Sequence, residues 1–192
     1  MRVSREQAEK NHQVVINTAS RLFRERGFDG IGLMELMEGA GLTKGGFYKQ
    51  FASKEDLAAK AVKRSMEMAR DRWSTFIATN PDAPLEGVLA FYLSMGHRDD
   101  KAEGCPIVAL GADAARQGPD VKASFEAGVK DHLGILKGLM PTAEDGQADV
   151  KAMAVLALMV GAVTMSRVFN DENLSRDFLD AAAGQVRAIA AR

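Results

Sequence analysis

Apolar side chains in this chain recur every three or four residues, and the strict alternation that builds a half-buried strand is absent almost everywhere. The fold class is therefore all-α, and what remains to be read is where each helix starts, stops and turns its apolar side. Val15, Ile16, Ala19, Leu22 and Phe23 share one stripe and predict a helix from about Arg5 to Arg26. Arg24 and Arg26 suit the negative end of its dipole, and Gly27 suits a left-handed terminus. Leu33, Leu36 and Met37 give a short second helix, Leu33 to Ala40, ended by Gly41. Gly32, at its start, is a poorer cap than Ser or Thr. A third helix begins at Thr43, whose hydroxyl is placed to cap the amide of Gly45 or Gly46. Phe47 and Phe51, four residues apart, lock it onto the first two helices and leave Lys44, Tyr48 and Lys49 facing outward. Ser53 caps a fourth helix, with Glu55 and Asp56 in its first turn, that runs past Trp73 and Phe76 to Asn80-Pro81.

Beyond Pro81 the helices lengthen. One is expected from Pro84 to His97, followed by a charged loop from Arg98 to Gly104. Cys105-Pro106 opens the next, with Pro in a favoured first-turn place, and Gly118 closes it. Pro119 starts a helix that reaches Met140-Pro141, a very apolar one spans Gln147 to Phe169, and Ser175 caps the last.

Composition excludes several classes. The single cysteine rules out an intrachain disulfide and fits a reducing cytoplasm. The opening residues are polar and lack the apolar core of a secretion signal. The longest uncharged apolar run, Ala152 to Ser166, falls short of the roughly 20 residues that span a bilayer. A soluble, cytoplasmic protein without membrane partners is expected. His12, His97 and His132 are scattered, no metal-ligand spacing occurs, and no phosphate-binding glycine loop follows a strand. We therefore expect no catalytic residue, no metal and no cofactor, hence not an enzyme. Residues 1–64 carry a formal charge of +4 and the remainder −5. A basic head on an acidic body suits an anionic partner at the head.

Three short helices with a tight glycine-containing turn before the third make a helix-turn-helix signature. Glycines at the head of the third helix let its backbone approach a phosphate chain or groove floor. The residues themselves, Arg26-Gly27-Phe28, Ala40-Gly41-Leu42, Thr43-Lys44-Gly45, Phe47-Tyr48, Phe51 and Ser53-Lys54-Glu55-Asp56-Leu57, resemble the amino-terminal domain of the tetracycline-repressor (TetR) family of bacterial transcription regulators. The resemblance covers about Val15 to Leu57. It departs at Gly32, where Ser or Thr commonly caps the second helix, and at Met37, where a small Ala is usual.

The resemblance implies a DNA-binding regulator, a repressor released from a palindromic double-stranded operator by a small-molecule effector. Residues 1–56 would form the helix-turn-helix domain and 57–192 a helical effector-binding and dimerisation domain. Thr43, Lys44, Gly45, Gly46, Tyr48, Lys49, Gln50 and Lys54 would face DNA. A homodimer would form through the last two helices, with Val155, Met159, Val163, Phe178 and Val186 in the interface and small Ala157, Gly161 and Ala162 permitting close packing. Aromatic and Met residues in the body give a candidate pocket for a largely apolar effector: Trp73, Phe76, Phe91, Tyr92, Met95, His97, Cys105 and Phe125. Cys105, at a helix start beside Arg98 and Lys101, is a candidate for a depressed thiol pKa. It also resembles the Gly-Cys helix start of family members that answer to electrophiles or oxidants. Two other readings stand beside the main one: a helical interaction module that does not bind DNA, and a regulator switched by covalent modification of Cys105.

Overall fold

In the computed structural model, which describes residues 4–140 and 147–191, local capping chemistry sets most helix ends. Helix α1, Arg5–Arg26, begins where the Ser4 hydroxyl accepts the Gln7 amide at 3.1 Å. It ends at Gly27, whose φ of 74° only glycine adopts readily. Helix α2 is Leu33–Gly39, and a 3-10 helix, Lys44–Lys49, follows. Helix α3, Lys54–Thr79, starts where Ser53 Oγ accepts the Asp56 amide at 3.0 Å. Then come α4 (Pro84–Tyr92), α5 (Met95–Asp99), α6 (Pro106–Ala114), α7 (Pro119–Leu139), α8 (Gln147–Ser166) and α9 (Glu172–Ala190). No strand occurs among the described residues. Pro141, expected to stop α7, lies outside them.

Four expected boundaries are corrected. The helix expected over Pro84–His97 is two, because Ser94 leaves the ladder. Its hydroxyl donates to the Phe91 carbonyl at 2.7 Å and accepts the His97 amide at 3.1 Å, which starts a new turn. Helix α6 stops at Ala114 rather than Gly118, and α8 at Ser166 rather than Phe169. Asp171, not Ser175, caps α9: its carboxylate accepts the amides of Asn173 at 2.8 Å and Leu174 at 3.3 Å. Ser175 is fully buried one turn inside and donates to the Ser166 carbonyl at 3.0 Å, tying α9 to the end of α8.

The buried side chains form two clusters that meet at Ile107 and Val129. The first joins α1, α2, the 3-10 helix and the first half of α3, and is completed by Leu110, Ala114 and Val121 from α6 and α7. The second fills the space between α3, α4, α7, α8 and α9 around Trp73, Tyr92, Leu136, Met159 and Val186. Helix α3 runs through both, so residues 54–79 join the head to the body. Helix α8 is long and apolar enough to cross a membrane by composition alone, a test that a core helix also passes. Here Val155, Met159 and Val163 are completely buried against the rest of the chain.

Candidate nucleic-acid interface

Two glycines after Lys44 remove the side chains that would favour an α-helical turn, and the segment tightens into a 3-10 helix. Its bonds are backbone to backbone. The Gly46 amide donates to the Thr43 carbonyl at 3.0 Å, and the Gln50 amide to the Phe47 carbonyl at 2.8 Å. The expected cap from the Thr43 hydroxyl is not made, since its carbonyl already holds the amide that the hydroxyl would serve. Phe47 is fully buried and Phe51 nearly so, with ring centroids 5.5 Å apart. His12 stacks on the far face of this pair, 4.5 Å from Phe51. Met37, also fully buried, sends its Cε under Gly46, so the bulkier residue props the 3-10 helix from below.

With both Phe rings inward, Tyr48 is 69% exposed, and Thr43, Gly45 and Lys49 are exposed beside it. Lys44 belongs to the 3-10 helix, but its side chain lies outside the described residues. Lys54 opens α3 at the edge of this surface and is half-buried. Burial pushes the Asp56 carboxyl up, but hydrogen bonds from Lys60 and the Ala52 amide outweigh that and hold it below its ordinary value. Lys60 is thereby paired, while Lys49 and Lys54 enter no ion pair among the described residues. Gln50 is only half-exposed, and its carbonyl oxygen is buried with no hydrogen-bond partner among the described residues. A groove of about 280 Å³ runs between Thr43, Gly46, Lys49 and Gln50 on one bank and Ala8 and Asn11 of α1 on the other. The sequence reading missed Ala8 and Asn11. Their spacing of three on the polar side of α1 was the available signal, but only the fold puts that side beside the 3-10 helix.

In the body, the structure brings Trp73, Phe91, Tyr92, His97 and Cys105 around one cavity of about 10 Å³, roughly room for one water. Phe76 stacks behind Phe91 at 4.4 Å, and Met95 packs against the same cluster. Phe125 does not join them: it packs against the head's cluster instead. His132 does not line this cavity but lies edge-on to one of its walls, Trp73, at 4.8 Å. Its Nδ1 bonds the Gly128 carbonyl at 2.7 Å, and its Nε2, like the Tyr92 hydroxyl, is buried with no hydrogen-bond partner among the described residues.

The expectation for Cys105 is reversed. Its side chain is 5% exposed, and burial pushes the thiol pKa up despite the neighbouring Tyr92 hydroxyl and the helix-start amides of Ile107 and Val108. Arg98, expected to activate it, is turned away: its Nε donates to the Ser166 carbonyl at 2.8 Å and its Nη2 to that of Phe169 at 3.1 Å. His97 is nine-tenths buried, and desolvation lowers its pKa to about 4. It is neutral at pH 7.

The expected dimer contacts divide. Val155, Met159, Val163 and Val186 are completely buried within the chain itself and cannot reach a partner. Phe178 is 38% exposed and does face outward. Around it Ala157, Leu158, Gly161, Met165 and Ala181 line an open apolar groove of about 360 Å³ between α8 and α9. The apolar period of α8 was legible, but a helix apolar all round does not say which side its own chain covers.

Residues 15–61 match the sequence pattern of the family described as bacterial regulatory proteins, tetR family. The chain is 25% identical over 164 residues to the HTH-type transcriptional repressor NemR of Escherichia coli K12, covering 80% of this chain and 82% of that one. It superposes on the crystal structure of reduced E. coli NemR with a TM-score of 0.77 at 22% identity, over 93% of this chain and 96% of that one. FadR of Bacillus subtilis, solved in complex with stearoyl-CoA, gives a TM-score of 0.67 at 17% identity, over 93% and 97%. At these identities the superpositions establish the fold, and the matched motif lies on the helix-turn-helix head just described. Residues 15–61 thus carry the sequence pattern of the tetR family of bacterial regulatory proteins, on a chain whose fold is shared with solved TetR-family regulators.

Proposed function

We propose that this protein is a cytoplasmic transcriptional repressor that binds a palindromic DNA operator as a homodimer and leaves it when a small molecule occupies the body. The observation that carries the reading is the 3-10 helix. Its two aromatic anchors are spent inside, while Thr43, Gly45, Tyr48 and Lys49 stand exposed beside Lys54 at the head of α3. Gly45 and Gly46 let the backbone approach the groove. Tyr48, Lys49 and Lys54 suit phosphate oxygens, and Lys44 and the exposed part of Gln50 are the candidates for base edges. The two-fold partner suits the exposed α8–α9 face around Gly161, Met165 and Phe178, where small residues allow close helix packing.

The effector reading rests on the aromatic cavity of Trp73, Phe91, Tyr92 and His97, backed by Phe76 and Met95. It is nearly closed as it stands, so a ligand would enter by parting these walls, which amounts to selecting a more open conformation. An apolar molecule fits the lining, and FadR, with stearoyl-CoA bound, is a protein of this fold that holds an acyl ligand. Covalent switching through Cys105 is not favoured, because burial lowers the thiolate fraction on which such chemistry depends.

Selection of duplexes from a random pool, followed by salt titration of the winner, tests the reading. A palindromic site and a log–log salt slope of several units are expected. Recovery of no duplex would leave the interaction-module reading in its place.

A further inference from the structure

One peptide unit in this molecule is bonded at one end to the DNA-reading head and at the other to the wall of the body's cavity. Arg24, in the last turn of α1, is charged yet only 4% exposed. Its Nε donates to the Ser20 carbonyl at 3.0 Å, which fixes the guanidinium on its own helix. Its Nη1 then donates to the Gly104 carbonyl at 3.2 Å, and its Nη2 meets the Glu103 carboxylate at 3.4 Å. The same Gly104–Cys105 peptide presents its N–H to the opposite side, where it donates to His97 Nε2 at 3.0 Å. Because Nε2 accepts, the ring proton sits on Nδ1, which donates to the Tyr92 carbonyl at 2.7 Å. His97 and Tyr92 are both walls of the cavity, and their rings lie 4.6 Å apart.

We infer that the Gly104–Cys105 peptide is the point at which the cavity of the body is coupled to the DNA-reading head, with Arg24 as the positioning residue on the head side. The inference rests on the proposed function, since it assigns a regulatory path to those two sites. Three features make the peptide suited to the task. Its surroundings are rigid: Arg72 Nη1 holds the Glu103 carbonyl at 2.6 Å, and Arg167 holds the carbonyls of Arg98 at 2.8 Å and His97 at 3.1 Å. Its packing leaves no slack, because a Cβ on Gly104 would lie 2.3 Å from the Asp100 carbonyl oxygen and 2.8 Å from Arg167 Nη2. Its two bonds also belong to different clusters, so a ligand that pushes His97 aside must move the peptide or lose one of them. Moving it pulls Arg24, and with it α1, whose His12 stacks on Phe51 just after the 3-10 helix at 4.5 Å. A buried guanidinium resists being left unpaired, so α1 follows the peptide in preference to releasing it.

Coupling between two sites is reciprocal, so the path can be read without knowing the effector. Trp73 is the only tryptophan and lines the cavity. Its emission should therefore change when the selected duplex binds the head. Arg24→Met, and Arg24→Lys as the variant that keeps the charge but not the fork, should still bind the duplex by anisotropy while the Trp73 response falls at least about threefold. Gly104→Ala, which displaces the peptide, should weaken binding of that duplex by about tenfold. In the Arg24→Met background the Gly104→Ala loss should largely disappear, because the two changes cut the same path. A full Trp73 response in both Arg24 variants, or a Gly104→Ala loss of equal size in both backgrounds, overturns the inference. Absence of a Trp73 response in the wild type does the same. If the wild type binds no duplex at all, the proposed function falls first and the coupling with it.

Discussion

The two exposed faces at opposite ends of this chain are built from opposite materials over similar foundations. At the head, Phe47 and Phe51 are buried and the surface above them offers Thr43, Tyr48, Lys49 and Lys54. On the body, Val155, Met159 and Val163 are buried and the surface beside them offers Ala157, Gly161, Met165 and Phe178. Each foundation fixes a rigid shape, and only the outer residues decide what that shape will attract. A polar, cationic face on a glycine-bearing turn draws phosphate and should weaken as salt rises. A grooved apolar face with small residues draws another apolar surface and should tolerate salt. Raising the salt concentration should thus strip DNA from the proposed dimer before it separates the subunits.

The comparison is broken most severely at the foundations. Met159→Glu places a carboxylate in the fully enclosed core, not at the interface, and should cost about 3–5 kcal/mol, seen as loss of helical circular dichroism at ordinary temperature. A folded monomer from this variant would show instead that Met159 belongs to the contact between subunits. Gly161→Glu and Phe178→Glu, on the outer side of the same helix pair, should leave the melting curve nearly unchanged and yield monomers in sedimentation. Their affinity for a palindrome should drop by about 100-fold, since the second half-site no longer adds avidity.

A smaller effect separates the cavity from both faces. His97 is kept neutral by burial, with a pKa of about 4, and burial also lowers that of His132. Between pH 6.5 and 4.5 the unfolded chain takes up protons at these rings that the folded chain refuses, so stability falls with falling pH in that window. The loss should be about 2 kcal/mol for His97 alone and should be absent from the slope of His97→Gln in denaturant titrations. Equal slopes in both proteins would mean that the ring is open to water.

At the head, Lys49→Ala and Lys54→Ala should each remove about 0.9 per half-site, hence about 1.8 for the dimer, from the log–log salt slope and weaken binding to all sequences alike. Tyr48→Phe should do less, since it loses one hydrogen bond worth about 1 kcal/mol. A change in base preference from Lys54→Ala would move that residue from phosphate to base reading. The smallest expected effect is at Cys105, where iodoacetamide at pH 7 should label the folded protein more slowly than a free thiol. Rapid labelling of the folded dimer would restore the covalent reading.

The sequence alone determined the helical architecture, because apolar period and capping residues act over a few positions. Gly27 and Ser53, both read from the sequence, end and begin helices through bonds made within one turn, and Ser4, not singled out there, begins α1 in the same way. Phe47 in the 3-10 helix and Phe51 just after it were legible as core for the same local reason, and Tyr48 and Lys49 as outward-facing by elimination. Tertiary structure decided everything that depends on which neighbour arrives. Helix α8 is apolar on every side, so its period could not tell Met159, covered by its own chain, from Gly161, left bare. Arg98 beside Cys105 in sequence promised an activated thiol, yet its guanidinium is spent on the carbonyls ending α8, and burial sets the thiol's pKa instead. Arg24 read as a dipole-matching charge at a helix end, and only the fold brings to it a carbonyl 80 residues away. Side-chain periodicity reports one helix at a time, whereas burial, pairing and coupling are properties of the contacts between them.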